Sequence, residues 1–414
     1  MDYTSATSKR LLYTLFITQS LFSASQIAIF TLMAIVATRL SGTESLSGMP
    51  SSTLTFSQAF AALPMALVMG RFGRRIGLMF GYTLAALGGL AGIFAITQEA
   101  FPLLLLSAML FGVGRASGEQ SRFAAGEMFP EAERARMIGR IVFAGTIGAV
   151  AGPALVGPSG RLLAERGLSP DLGPWTAAFV MCTIAALVAL FLLRPDPSLV
   201  ARSVDRQQAE ARPHEPAHLT RSLRALLSLP GVQLAMLSML ISQTVMVVLM
   251  VMTPLHMDHL NHSRDSISLV ISAHTLGMFG LSALTGYLID RFGRVSMLVA
   301  GGLTLIVAAV IAPVSNSQYV LALALFLLGL GWNFGYVAGS SLLADSLQGK
   351  ERARVQGIND SLVFFVAGIG SLSAGPLFAS GGYVAVSTAG IVLTCIMIVL
   401  TYLLARPQLK VKAV

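Results

Sequence analysis

Four side chains carry soft, uncharged donor atoms in a chain that is otherwise mostly apolar: Met246, Met250, His274 and Met278. Each pair is spaced i, i+4, so on a helix its two donors share one face. Thioethers and an imidazole suit Cu(I) and suit Mg²⁺ or Ca²⁺ poorly. Two such pairs on neighbouring antiparallel helices would set four donors around one ion without any formal charge. An ion can leave a neutral site of that kind as well as enter it. The wider set Met239, Met246, Met250 and Met257 returns to one helical face within about 20° and so forms a stripe. Just beyond it, HMDHLNH supplies His256, His259 and His262 as an outer capture point. Flexible packing is the plain alternative for the methionines. A histidine within an apolar run fits that alternative less well, because an ionisable group at membrane depth is costly without a role.

Charged groups inside apolar runs are the other candidates. Arg115 and Glu119, at i, i+4, and Arg122 lie in one such run, where the carboxylate can neutralise an arginine and serve in coupling. His274 and Asp360 are further groups able to carry a coupling proton. The tetrapeptide RFGR occurs at Arg71–Arg74 and again at Arg291–Arg294, an offset of 220 (291 − 71). ERAR occurs at 133–136 and 351–354, and AGP at 151–153 and 374–376. Three echoes in the same order make the chain a duplicated unit.

The elements that must position these residues follow from composition. Of 414 residues, 55% are hydrophobic and 11% charged. A soluble domain carries about 25% charged residues, so the chain lacks the polar groups to cover a water-facing surface. Twelve segments reach the roughly 20 apolar residues that a spanning helix needs. Six lie in residues 1–193 and six in 231–414, with a polar, proline-bearing linker at 194–230 that contains a basic amphipathic patch. The N-terminus reads as an uncleaved first span. On one side of the implied bilayer the termini, the linker and alternate loops hold 22 Lys and Arg, against four in the opposite loops. That asymmetry places both termini in the cytoplasm. It also accounts for the formal charge of +9 without any nucleic acid. The two cysteines, Cys182 and Cys395, form no redox or disulfide motif. No G-x-x-x-x-G-K-[ST] stretch occurs, so ATP-driven chemistry is not expected.

GYLIDRFGRV, from Gly286 to Val295, resembles the loop pattern G-x-x-x-D-R-x-G-R-R of the major facilitator superfamily, and the likeness covers essentially the whole chain. The resemblance implies an all-α fold of two six-helix bundles that works by alternating access, with no enzymatic step and no cofactor. It implies a gating role for Gly286, Asp290, Arg291, Gly293 and Arg294. In the first half Arg71, Gly73 and Arg74 match, whereas Ala66 and Gly70 replace the pattern's Gly and Asp. Asp290 is therefore expected to be the stronger latch and Arg74 the milder position. GTIGAVAGPALVG at 145–157 resembles the Gly-Pro pattern of proton-coupled exporters. MxxxM followed by HxxxM resembles the CcoA-like (CalT) copper importers, in which Met246, Met250, His274 and Met278 would be the metal positions. Ser238 and Ser242 stand where those importers carry a cysteine pair. A related branch imports riboflavin. The expectation is a monomeric inner-membrane transporter in contact with lipid, with Cu(I) as cargo. Efflux of amphipathic drugs and import of riboflavin or another organic nutrient are the alternatives.

The copper expectation has a direct test in Met250. Met250→Cys keeps a soft donor and should retain partial copper accumulation by whole cells, whereas Met250→Leu keeps only volume and should abolish it. Equal behaviour of the two variants would make Met250 a packing residue.

Overall fold

Lipid offers no hydrogen-bond partner to a bare N–H or C=O, so a spanning segment has to satisfy its backbone internally. The computed structural model describes residues 5–211, 221–347 and 349–411, and among these every regular element is helical. Ten helices are long and apolar enough to cross a membrane. An eleventh span is a broken one, two helices bent by 44° at a short interruption. The last helix runs 63 residues, with Gly381 and Gly382 (φ −162° and +62°) outside the helical region. That length is about three bilayer thicknesses of α-helix, and the glycine pair divides it into two spans, giving twelve.

The chain forms two compact units, Met1–Leu40 with Thr53–Pro216, and Ser41–Ser52 with Ala217–Val414. In chain order the first contains α1 (Ser5–Ser41), α2 (Met49–Phe72), α3 (Arg74–Thr97), α4 (Phe101–Glu119), α5 (Ser121–Glu127), α6 (Glu131–Ala154), α7 (Val156–Ala164), α8 (Gly173–Leu192) and α9 (Pro197–Ala211). Here α3 packs on α4 and α8, α5 on α6, and α9 on α5. The second contains α10 (Leu223–Leu227), α11 (Pro230–His259), α12 (Arg264–Phe279), α13 (Ser282–Phe292), α14 (Arg294–Ile311), α15 (Gln318–Ser346) and α16 (Gly349–Val411). Here α11 lies against α16 and α15, α12 along α15, and α14 between α15 and α16. The linker is thus divided, with α9 belonging to the first unit and α10 to the second; residues 212–220 lie outside the described residues.

Glycine sets the helix contacts. Buried apolar side chains gain little over lipid-facing ones, so association depends on close van der Waals approach of backbones. Gly81 and Gly301, 220 apart (301 − 81), do the same work in the two units. A Cβ on Gly81 would collide with Ser117 of α4, and one on Gly301 would stand 2.9 Å from Gly335 N and 3.0 Å from Gly331 O of α15. Gly277 of α12 and Gly329 of α15 meet likewise, since a Cβ on either would run into the other helix's backbone at Phe326 O or His274 O. The stretch Ser41–Ser52 joins the second unit in the same manner. A Cβ on Gly48 would run into Ser371 O, Ser371 Oγ donates to Gly48 O at 3.0 Å, and Ser52 Oγ donates to Gly368 O at 2.9 Å.

Gly329→Ala should therefore force α12 off α15. Overpacking of this kind costs about 2 kcal/mol. It should appear as a lower unfolding temperature in detergent, whereas Gly286→Ala, where a Cβ meets nothing within 4 Å, should leave that temperature unchanged.

Candidate functional site

The donors expected to gather around a metal lie on two helices that both pack on α15. Met246 and Met250 lie on α11, 6% and 7% exposed, and α11 packs on α16 and α15. His274 and Met278 lie on α12, which is drawn onto α15 by the Gly277–Gly329 approach. Among the described residues α12 lies chiefly along α15, and α11 along α16 and α15. His274 is fully buried; its Nδ1 hydrogen-bonds Leu325 O of α15 at 2.9 Å, and its Nε2 has no partner. Other methionines nearby act as weak acceptors in packing. Met239 Sδ receives Asn359 Nδ2 at 3.5 Å and Ser340 Oγ at 3.8 Å, and Met397 Sδ receives Ser242 Oγ at 3.5 Å.

The three outer histidines take three different partners. His256 stacks on Tyr383 with centroids 4.5 Å apart, and His259 Nε2 stands 3.3 Å from Glu44 Oε1. His262 Nε2 bonds Asn316 O at 2.8 Å. The helix ends at His259, and Asn261 turns the chain with φ +58°. Among the described residues no three of His, Cys, Asp and Glu come together as a metal cluster.

What the second unit does assemble near the middle of α11 and α15 is aromatic. Trp332 and Tyr336, at i, i+4 on α15, stack with centroids 4.8 Å apart and an interplanar angle of 23°. Phe279 of α12 meets Trp332 edge-on at 6.0 Å, and Trp332 Nε1 donates to Gln243 Oε1 of α11 at 2.8 Å. Beside this cluster Asn333, 1% exposed, holds the break between α12 and α13. Its Nδ2 donates to Met278 O at 2.7 Å and to Ser282 Oγ at 3.0 Å, and its Oδ1 accepts from Thr285. Asn333 thereby supplies a donor for a carbonyl that the interrupted helix leaves open. Neither the platform nor Asn333 stood out in the sequence, because GWNFGY reads as one more apolar stretch; two aromatics at i, i+4 were the available signal.

The first unit has a polar cluster instead. Arg115 Nε is 3.5 Å from Glu119 Oε1, and Gln58 of α2, 1% exposed, donates Nε2 to the same oxygen at 2.8 Å. Both Arg115 and Glu119 remain about one-third exposed.

Both RFGR turns share a backbone. Gly73 and Gly293 have φ +93° and +85°, a region that favours glycine. Arg71 and Arg291 each stack over the following phenylalanine at 5.5 Å. Arg74 forms a two-pronged pair with Glu127 of α5 (Nη2–Oε1 2.6 Å, Nε–Oε2 3.2 Å). Arg294 bonds Asp345 of α15 at 2.9 Å. The partners stand 218 apart (345 − 127), the offset of the ERAR echo, so the ion pair is itself repeated. Asp290 is 79% exposed and stands 3.7 Å from Arg294 Nη1. A Cβ on Gly286 would meet nothing within 4 Å. A third carboxylate anchors the linker. Glu351 of α16, side chain 9% exposed, takes Arg221 Nη2 at 2.7 Å and the Arg221 backbone N at 2.9 Å. These hydrogen bonds push the Arg221 pKa above its ordinary value.

Repeated helix bundles with a repeated arginine turn agree with comparison to known sequences. The pattern described as Major Facilitator Superfamily matches residues 15–257 and again 234–413. The chain belongs to this superfamily. It is 34% identical over 392 residues to an uncharacterised transporter of the superfamily, YdeG of Bacillus subtilis, covering 94% of this chain and 90% of that one. It is 28% identical over 404 residues to the riboflavin transporter RfnT of Brucella anthropi, covering 97% of each. Among solved structures, a bacterial homologue of the lysosomal transporter Spinster superposes with a TM-score of 0.71 at 16% identity, covering 99% of both chains. A D-xylose–proton symporter gives 0.69 at 15% identity, over 95% of this chain and 97% of that one. The protein is a multi-pass membrane transporter of this superfamily.

The charged groups of the two turns differ in how closely they are held. Arg74 is 17% exposed and doubly paired, whereas Asp290 is largely solvated. Arg74→Ala should lower initial uptake more than Asp290→Asn at equal membrane content. The exchange Arg74→Glu with Glu127→Arg should recover much of the loss if the pair is what matters.

Proposed function

We propose that the chain takes up a flat heteroaromatic nutrient of the riboflavin class. The observation that carries this reading is the aromatic platform of Trp332, Tyr336 and Phe279, with the Gln243 amide at its edge. Ring faces of this kind attract a planar conjugated system, at about 1 kcal/mol per stacked pair beyond area burial. Amide and hydroxyl groups around them supply the few directed hydrogen bonds that fix a ligand's orientation. The full-length likeness to a riboflavin transporter supports the same class. Transport proceeds by alternating access across the inner membrane, with both termini cytoplasmic. Glu119, polarised by Arg115 and Gln58, is the candidate for proton coupling.

Two other cargoes have weaker support. For Cu(I) the favouring observation is His274 Nε2, buried and without a partner. For drug efflux it is the Gly-Pro helix, but Gly148 and Gly152 already serve packing, since a Cβ on either would crowd the α1 backbone at Ser20 O or Ala24 O.

Expression in a riboflavin auxotroph that lacks an importer should restore growth on low riboflavin. Trp332→Ala should raise KM about tenfold, the effect of losing about 1.4 kcal/mol, while Trp332→Phe should raise it much less. Failure to take up riboflavin, together with a rise in cell copper that His274→Ala abolishes, would overturn the flavin reading in favour of the metal.

A further inference from the structure

The RFGR turn of the first unit lacks the carboxylate that the second has within its own turn, because Gly70 stands at the position of Asp290. The structure brings one in from elsewhere. Asp196, at the start of the linker, lies against the α2–α3 turn. Its Oδ1 accepts the Arg74 backbone N–H at 3.1 Å and its Oδ2 accepts that of Arg75 at 3.0 Å. The same Oδ1 accepts from Ser198 N at 2.8 Å, and Asp196 O accepts from Leu199 N at 2.9 Å. One side chain therefore caps the first turns of two helices, α3 and its own α9. Amino termini of helices carry unpaired N–H groups and partial positive charge, so an anionic cap serves both needs.

Gly73 is fitted to this arrangement twice over. Its φ of +93° disfavours a side chain, and a Cβ there would collide with the Asp196 carboxylate. Gly293, its counterpart, has nothing within 4 Å of a Cβ. The glycine is thus required by the turn in both repeats and by close approach of a carboxylate only in the first. The residue fixed through its backbone is Arg74, whose guanidinium grips Glu127 on α5. Helix α9 in turn packs on α5 and α3.

We propose that Asp196 is a positioning residue for transport, in that it holds the backbone of Arg74 so that the first-unit turn and its Glu127 ion pair move as one body with the linker. It supplies from the linker what the turn's own sequence lacks. The inference rests on the transporter assignment and is independent of which solute is carried.

Serine at position 196 separates the two caps. A serine can cap its own helix, as Ser222 caps α10 by accepting from Ala225 N, but it is too short to reach α3. The test uses the full chain in lipid nanodiscs for hydrogen exchange and in whole cells for riboflavin uptake. In Asp196→Ser the Arg74 and Arg75 amides should exchange roughly fivefold faster, the usual effect of losing a cap, while exchange within α9 stays as in the parent. Uptake should lose Vmax several-fold with KM unchanged, because a held turn affects movement of the carrier and not contact with the solute. Asp196→Ala should lose protection in both helices. Asp196→Asn, with one acceptor oxygen left, should fall between parent and serine variant in Vmax. Parent-like exchange at Arg74 and Arg75 in Asp196→Ser would overturn the proposal, as would a rise in KM at constant Vmax. If the parent chain carries no riboflavin, the substrate reading fails alone, and the cap is decided by the exchange rates of the serine and alanine variants.

Discussion

Helices that share an apolar surface with lipid have no hydrophobic reason to prefer one another. Their contacts in both units depend on backbone approach at glycine, where dispersion and close geometry replace the missing solvent force. Gly81 against α4, Gly301 against α15, and Gly277 against Gly329 each occupy a place where a Cβ would strike the neighbouring helix. This constraint decides which helices touch, and therefore which side chains can act together. The Gly277–Gly329 contact commits α12 to α15, so His274 spends its Nδ1 on Leu325 O, and the methionines of α11 pack on other partners. The same commitment places Phe279 over the edge of Trp332. An aromatic surface between α11, α12 and α15 is the outcome.

The second organising force is the pairing of charge at helix ends. Both repeats carry an arginine immediately after a positive-φ glycine, and in both the arginine reaches a carboxylate on a helix later in its own unit, Glu127 or Asp345. The units differ in what stabilises the turn. The second turn has its own Asp290, exposed and close to Arg294. In the first turn the start of α3 is closed by a linker residue. A duplicated architecture has thus become asymmetric in its polar groups while keeping its glycines, which suits a carrier whose halves need equal packing but different control.

The linker takes part in both units through carboxylates. Asp196 ties its beginning to the first unit, and Arg221 on Glu351, with Leu226 in the apolar core, ties its end to the second. In each case a charged group near a helix start is matched by a polar backbone or a guanidinium, so docking adds no unpaired polar group.

The sequence by itself determined the membrane class, the duplication and the arginine turns. These depend on local or periodic features: apolar runs long enough to span, echoes at a constant offset, and a glycine between two charged residues. It also marked Arg115 and Glu119 as a pair, because i, i+4 on a helix is a short-range relation. The tertiary structure alone decided relations that cross from helix to helix. Asp196 reaches Arg74 across 122 residues and Glu351 reaches Arg221 across 130. Asn333 meets the α12–α13 break, and Gln243 meets Trp332, by the same long-range packing. Backbone approach at glycine sets α12 on α15, a relation between helices distant in the chain, since the free energy of helix contact in lipid depends on shape and not on order along the chain.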